Sequence, residues 1–210
     1  MNLNPERFLP SRERYLPLLQ RLEALFDEMD RAYSAVADQY GFHCSGCADN
    51  CCLSRFAHHT LLEYLYLVEG MGTLETETAA ALSQHAVAVA VQMADVDRSA
   101  EPLRSMCPLN RQGRCLLYRH RPMICRLHGI PHELRGPAGS VVRHPGCDVF
   151  FDHCRARGQT DYIPFDRTPY YRRMAMLEQD LRRLTGYTEK IKLTVAQALA
   201  TLTERADEIN

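Results

Sequence analysis

The chain has 210 residues, 46% of them hydrophobic and 24% charged, with a formal net charge of −1. That balance gives no electrostatic case for a nucleic-acid or membrane-surface partner, and the length suits one domain spanning 1–210. The opening run Met1-Asn2-Leu3-Asn4-Pro5-Glu6-Arg7 lacks a basic-then-apolar leader pattern, and the longest apolar stretch, 86–94, is too short for a bilayer. The expected location is therefore the cytoplasm, where thiols stay reduced and clustered cysteines point to metal or redox chemistry.

Pro10-Ser11 reads as a helix start. Leu18, Leu22, Leu25, Phe26, Met29, Tyr33 and Val36 then form an apolar stripe at steps of three and four. The stripe predicts an N-terminal helix over 10–41 that Gly41 stops, with Pro17 marking where its regular part begins. A cysteine cluster follows, and 60–71 reads as a second helix. A third runs over 73–95, where an acidic first turn and an alanine-rich body outweigh the strand-like alternation of Val87, Val89 and Val91. From about 98 to 165 Pro and Gly recur, so long regular elements are not expected there. Helices return in the tail (166–210): one over 169–185 before Gly186, and one that Thr194 opens and that runs to Ile209. The expected fold is mainly α, a helical frame around an irregular, loop-rich, cysteine-ligated metal-binding core at 42–154.

Cys44, Cys47, Cys51 and Cys52 fall within nine residues, and Cys107, Cys115, Cys125, Cys147 and Cys154 follow. Four thiolates satisfy a tetrahedral zinc or an iron–sulfur cluster, and Gly46 permits the tight turn that lets Cys44 and Cys47 share one metal. Adjacent side chains diverge, so Cys51 and Cys52 point to different centres, or one of them is a plain core cysteine. The candidate ligands are Cys44, Cys47, Cys51, Cys52, Cys107, Cys115, Cys125 and Cys147. The ninth cysteine exceeds two sets of four and leaves Cys52 or Cys154 outside. With only one paired knuckle, and with Cys107-Pro108 echoing the Cys-Pro beside many cluster ligands, the pattern leans from zinc towards iron–sulfur. His43, His144 and His153 lie within three residues of a cysteine, His128 follows Cys125 by three, and His132 stands four further on. An exposed or hydrogen-bonded role is the ordinary one for each, with His128 and His144 the two to weigh as ligands.

Nine arginines lie between Arg98 and Arg143, opposed only by Glu101 and Glu133. Arginines near a thiolate-bound metal offset its negative charge, or they bind an anionic carboxylate or phosphate. Arg121 and Arg126, which flank Cys125, are the candidate cofactor-binding pair. Phosphate-loop, serine-hydrolase, radical-SAM and HExxH signatures are missing from the sequence.

The run Cys44, Cys47, Cys51-Cys52 and the block Cys107 to Gly129 resemble the YkgJ family of cysteine-cluster proteins, the zinc- or iron-chelating CxxCxxCC domains. The second block carries Cys107-Pro108, Gly113, Cys115, Tyr118, Arg121-Pro122, Cys125 and Arg126, and the resemblance covers roughly 42–154. Here the gap between Cys47 and Cys51 is three residues where the family name implies two. The resemblance implies chelation of zinc or iron, the latter as an iron–sulfur cluster, and a similar cysteine cluster occurs in the flagellin lysine methylase. The expected function is a metal-binding protein with an iron–sulfur cluster or Zn2+ and a redox or metal-handling role. The alternatives are a metal-dependent enzyme acting on a protein or small anionic substrate, and a zinc-scaffolded binding module. Its partner would be a protein or a small anionic ligand.

Overall fold

The computed structural model describes residues 3–44, 51–53, 55–96 and 105–203, with the backbone alone at Cys51, Asp95 and Val96. It is mainly helical. A short 3-10 helix, Pro5–Ser11, leads into α1 (Arg12–Gln39). The apolar stripe of α1 buries Tyr15, Leu18, Leu22, Leu25, Phe26 and Met29. The helix begins at Arg12 rather than at Pro17. Within the second turn the proline forfeits the bond to the Glu13 carbonyl, and the helix runs on through it.

α2 (Leu61–Met71) is mostly apolar apart from Glu63 and Glu69 and is buried on nearly every side, which makes it the central helix. Thr60 caps it by accepting the Glu63 N–H at 3.1 Å. Its first two amides, from Leu61 and Leu62, donate to the Glu178 carboxylate at 3.0 and 2.9 Å. Glu178 belongs to α6 (Thr168–Thr185), so a charged group from one helix closes the positive end of another. α6 ends at Gly186, at φ 68°, where a residue without Cβ takes the left-handed cap at no steric cost. α1, α2 and α6 pack on one another around a continuous core.

α3 (Thr76–Val96) packs instead against α7 (Val195–Ala200), burying Val89, Met93 and Ala196 together. Of the alternating valines only Val89 is buried, while Val87 and Val91 are exposed, as one helical stripe requires. α7 is shorter than the tail pattern suggested. After Ala200 the bonds tighten to three-residue steps at Leu202 and Thr203, and Thr201 donates its hydroxyl to the Ala198 carbonyl at 2.7 Å. Positions 204–210 lie outside the described residues.

The Pro- and Gly-rich stretch holds more regular structure than its composition suggested. Two small antiparallel hairpins pair β1 (Asn110–Arg111) with β2 (Arg114–Cys115) and β3 (His132–Arg135) with β4 (Val141–His144). Two helices lie among them, α4 (Met123–Leu127) and α5 (Asp148–Ala156). α5 escapes a composition argument because its buried anchors, Phe150 and Cys154, are only one helical turn apart. Among the described residues, no helix is long and apolar enough to cross a membrane.

Candidate metal centre

The first hairpin turns on Gln112 and Gly113, at φ 53° and 81°. Two successive left-handed residues match the twist of the paired strands, and the Asn110 side-chain oxygen accepts the Gly113 N–H at 3.0 Å. At the base of the hairpin the Cys107 N–H donates to the Cys52 carbonyl at 2.9 Å. The Cys107 thiol accepts the backbone N–H of Leu109, and the Cys115 thiol that of Leu117. Each sulfur thus meets the amide two residues ahead, which directs a main-chain dipole at a thiolate.

The chain then passes through Arg121, extended as a residue before proline must be, into α4, which carries Cys125. The buried Glu63 carboxylate of α2 accepts the Met123 N–H at 2.9 Å and so fixes the first turn of α4. Cys125 lands beside the hairpin sulfurs. Every pair among Cys52, Cys107, Cys115 and Cys125 lies within electrostatic range. Burial pushes the Cys107 thiol up to about 12, and it raises Cys115 and Cys125 as well; neighbouring sulfurs add to the effect in each case. At neutral pH these are protonated thiols, so binding a metal would displace their protons. Among the described residues, no three His, Cys, Asp or Glu side chains are grouped closely enough as they stand to hold a metal ion.

The two candidate arginines separate. The Arg121 guanidinium sits over the Tyr118 ring, 3.6 Å from its centroid, and its charge favours the thiolate forms of Cys115 and Cys125. Arg126 is buried and turns towards α1. It donates to Asp30 at 2.6 Å, to the Arg121 carbonyl at 2.8 Å and to the Arg119 carbonyl, with its guanidinium over Phe26. Its donors serve the loop's own carbonyls and one carboxylate, while its charge still reaches Cys115.

Cys44 and Cys147 lie elsewhere, both in electrostatic range of Tyr33, whose hydroxyl donates to the His128 carbonyl at 3.0 Å. Cys147 caps α5, its sulfur accepting the Phe150 N–H at 3.4 Å, and its own N–H donates to the Gly129 carbonyl at 2.8 Å. Cys154 is packed into the core against neighbouring apolar side chains. Cys47 and the Cys51 side chain lie outside the described residues, as do Arg98, Glu101 and Arg104. The seven cysteines with described side chains form no disulfide.

Among the histidines, His153 bonds the Tyr40 carbonyl at 3.1 Å, and His43 is exposed beside Asp38. His128 packs on Phe56. His132 and His144, opposite each other across β3 and β4, stack with ring centroids 4.7 Å apart. Sequence reasoning missed Arg167, which is buried in reach of His128 and His132. It stands at the start of α6, and no motif or spacing marks it.

No protein-family model matches the chain, and no curated protein or solved structure is detectably similar to it.

Proposed function

We propose that the chain is a metal-binding protein whose centre is held by Cys52, Cys107, Cys115 and Cys125, with an iron–sulfur cluster as the first reading and zinc as the second. The observation that supports this is that four thiols from three separate stretches lie within electrostatic range of one another, two of them already facing main-chain amides. A disulfide framework would pair them, and inert core cysteines would have no reason to collect in one place. The resemblance of 42–154 to the zinc- or iron-chelating YkgJ family points the same way. Metal loading is coupled to closure of the loops: four protons leave as four sulfurs take up the ion or cluster, and binding stabilises a stretch short of its own core. Arg121 balances part of the negative charge of the thiolates. A redox or metal-handling role follows if the centre is iron–sulfur, and a scaffold role if it is zinc.

Anaerobic purification with metal analysis decides between them. An iron–sulfur centre gives brown protein absorbing near ~400 nm with matching iron and sulfide. Colourless protein with stoichiometric zinc moves the assignment to the second reading, and protein that takes up neither after reconstitution overturns both.

A further inference from the structure

β4 is an edge strand: it pairs with β3 on one side and with no strand among the described residues on the other, and it is exposed along its length. Its backbone directions follow from its neighbour. The Glu133 N–H of β3 donates to the Phe165 carbonyl at 2.8 Å, and the Glu133 carbonyl accepts the Arg167 N–H at 3.0 Å. Glu133 therefore turns its main-chain groups away from β4, and its cross-strand partner Arg143 turns its own away from β3. The Gly136 N–H donates to the Ser140 carbonyl at 2.8 Å, so the adjacent pair of Arg135 and Val141 faces outward in the same way. The N–H and C=O groups of Val141 and Arg143 thus form a free strand edge, without partners among the described residues.

The side chains along that edge sort by face. Val142, 53% exposed, shares a face with Leu134, and both line a groove of about 550 Å³ between the hairpin and α6. Tyr171 and Ala175 line it from α6. Arg135 and Arg172 line it as well, and among the described residues no carboxylate does. Arg143 stands on the opposite face of β4, with its side chain 69% exposed. It shares the buried Glu133 carboxylate with Arg135, at 3.1 and 3.2 Å, and Asp166 serves Arg135 alone at 3.2 Å. The strand edge is therefore apolar on one face and short of negative charge on the other.

We propose that β4 takes up an extended segment of a partner protein as a further antiparallel strand, in which apolar residues on the groove face alternate with carboxylates opposite Arg143. Main-chain bonds to Val141 and Arg143 supply the attachment, and the two faces supply the selection. A residue opposite Val142 falls on the groove face, where an apolar side chain covers exposed valine. A residue opposite Arg143 falls on the other face, where a carboxylate completes a cross-strand ion pair. A second copy of this chain fits less well, because its own Val141-Val142-Arg143-His144 has no carboxylate to offer. The surface shares no residue with the Cys52, Cys107, Cys115 and Cys125 group and does not depend on its metal.

Fluorescence anisotropy of the full chain with a labelled peptide, Ser-Val-Asp-Val-Glu-Val-Ser, tests this. Binding should be saturable, and the peptide with lysines in place of its Asp and Glu should bind at least ~10-fold more weakly. The acidic residues face the main-chain groups of β4 and the valines do not. Methylating the amide nitrogens of the Asp and Glu should therefore abolish binding, and methylating those of the valines should leave it intact. Bound peptide should slow hydrogen exchange at the Val141 and Arg143 amides. Val142→Lys, an exposed change, should weaken the acidic peptide at least ~10-fold and leave the Tm of the free chain unchanged. Absence of saturable binding, equal binding of the lysine peptide, or equal loss from either methylation would each overturn the proposal. So would a chain that sediments as a dimer with the Val141 and Arg143 amides already protected, which would assign the edge to a second copy.

Discussion

The Cys107 N–H donates to the Cys52 carbonyl at 2.9 Å, so the backbone ties the early cysteine cluster to the first hairpin before any metal is considered. This bond joins residues 55 positions apart, and the Cys52 and Cys107 sulfurs lie within electrostatic range of each other. The hairpin brings Cys115 to the same place, and α4 brings Cys125.

Because three separate stretches supply the sulfurs, removing any one should disrupt the whole. Cys107→Ser and Cys125→Ser should each lose most bound metal, while Cys154→Ser, whose sulfur packs in the core, should keep it. Metal-to-protein ratios by elemental analysis check this. Equal metal in Cys125→Ser and the parent chain would remove Cys125 from the ligand set.

The placement of Cys125 rests on Glu63. Its carboxylate accepts the Met123 N–H at 2.9 Å and the Thr60 hydroxyl at 2.7 Å from a fully packed position in α2. Glu63→Ala strands that amide in the core and should cost about 1–3 kcal/mol in urea unfolding. Glu63→Gln keeps an acceptor oxygen and should cost less. The readout specific to the site is reaction of Cys125 with a thiol reagent, which should speed up in Glu63→Ala as α4 loosens. If unfolding midpoints shift and thiol reactivity does not, Glu63 supports the fold without positioning the cysteine.

The long helices were legible because their signals are local. Thr60 and Thr194 stand as caps, Gly186 as a stop, and the stripe of α1 keeps its period over its whole length. The division of Cys51 and Cys52 between centres is an expectation from the geometry of adjacent side chains; Cys52 lies in electrostatic range of the downstream sulfurs, and the Cys51 side chain is outside the described residues. The second hairpin was less visible. Its turn carries Gly136, Pro137 and Gly139, a usable signal, but β4 is exposed along its length and shows no alternation of burial. Arg167 was not legible, because its burial beside Phe165 and in reach of His128 comes from tertiary packing that no local motif or spacing encodes.

Arg121 and Arg126 look equivalent as neighbours of Cys125, yet they should behave differently. Arg126→Met strands two carbonyls and takes the partner from a part-exposed Asp30, and should cost about 1–3 kcal/mol. Arg121→Gln should cost little in stability, being held by stacking at a half-exposed site. It should instead slow reaction of Cys115 and Cys125 with a thiol reagent at fixed pH, because the charge favouring their thiolates is gone. Urea midpoints and thiol kinetics on both variants separate the two roles, and the reverse pattern would exchange them.

His58 should make the fold sensitive to acid. It is buried, its backbone bridges Leu193 in both directions, and Nε2 has no partner among the described residues. Burial, with a smaller contribution from His59, lowers its pKa from 6.5 to about 4. Between these values the unfolded chain binds a proton that the folded chain refuses, so stability is level above the upper value and falls as pH drops towards the lower one. The full loss is on the order of 3 kcal/mol. Urea midpoints from pH 7.5 to 4.5 should show His58→Leu gaining steadily on the parent chain as pH falls. Parallel curves for the two proteins would mean that His58 is protonated in the fold as readily as outside it.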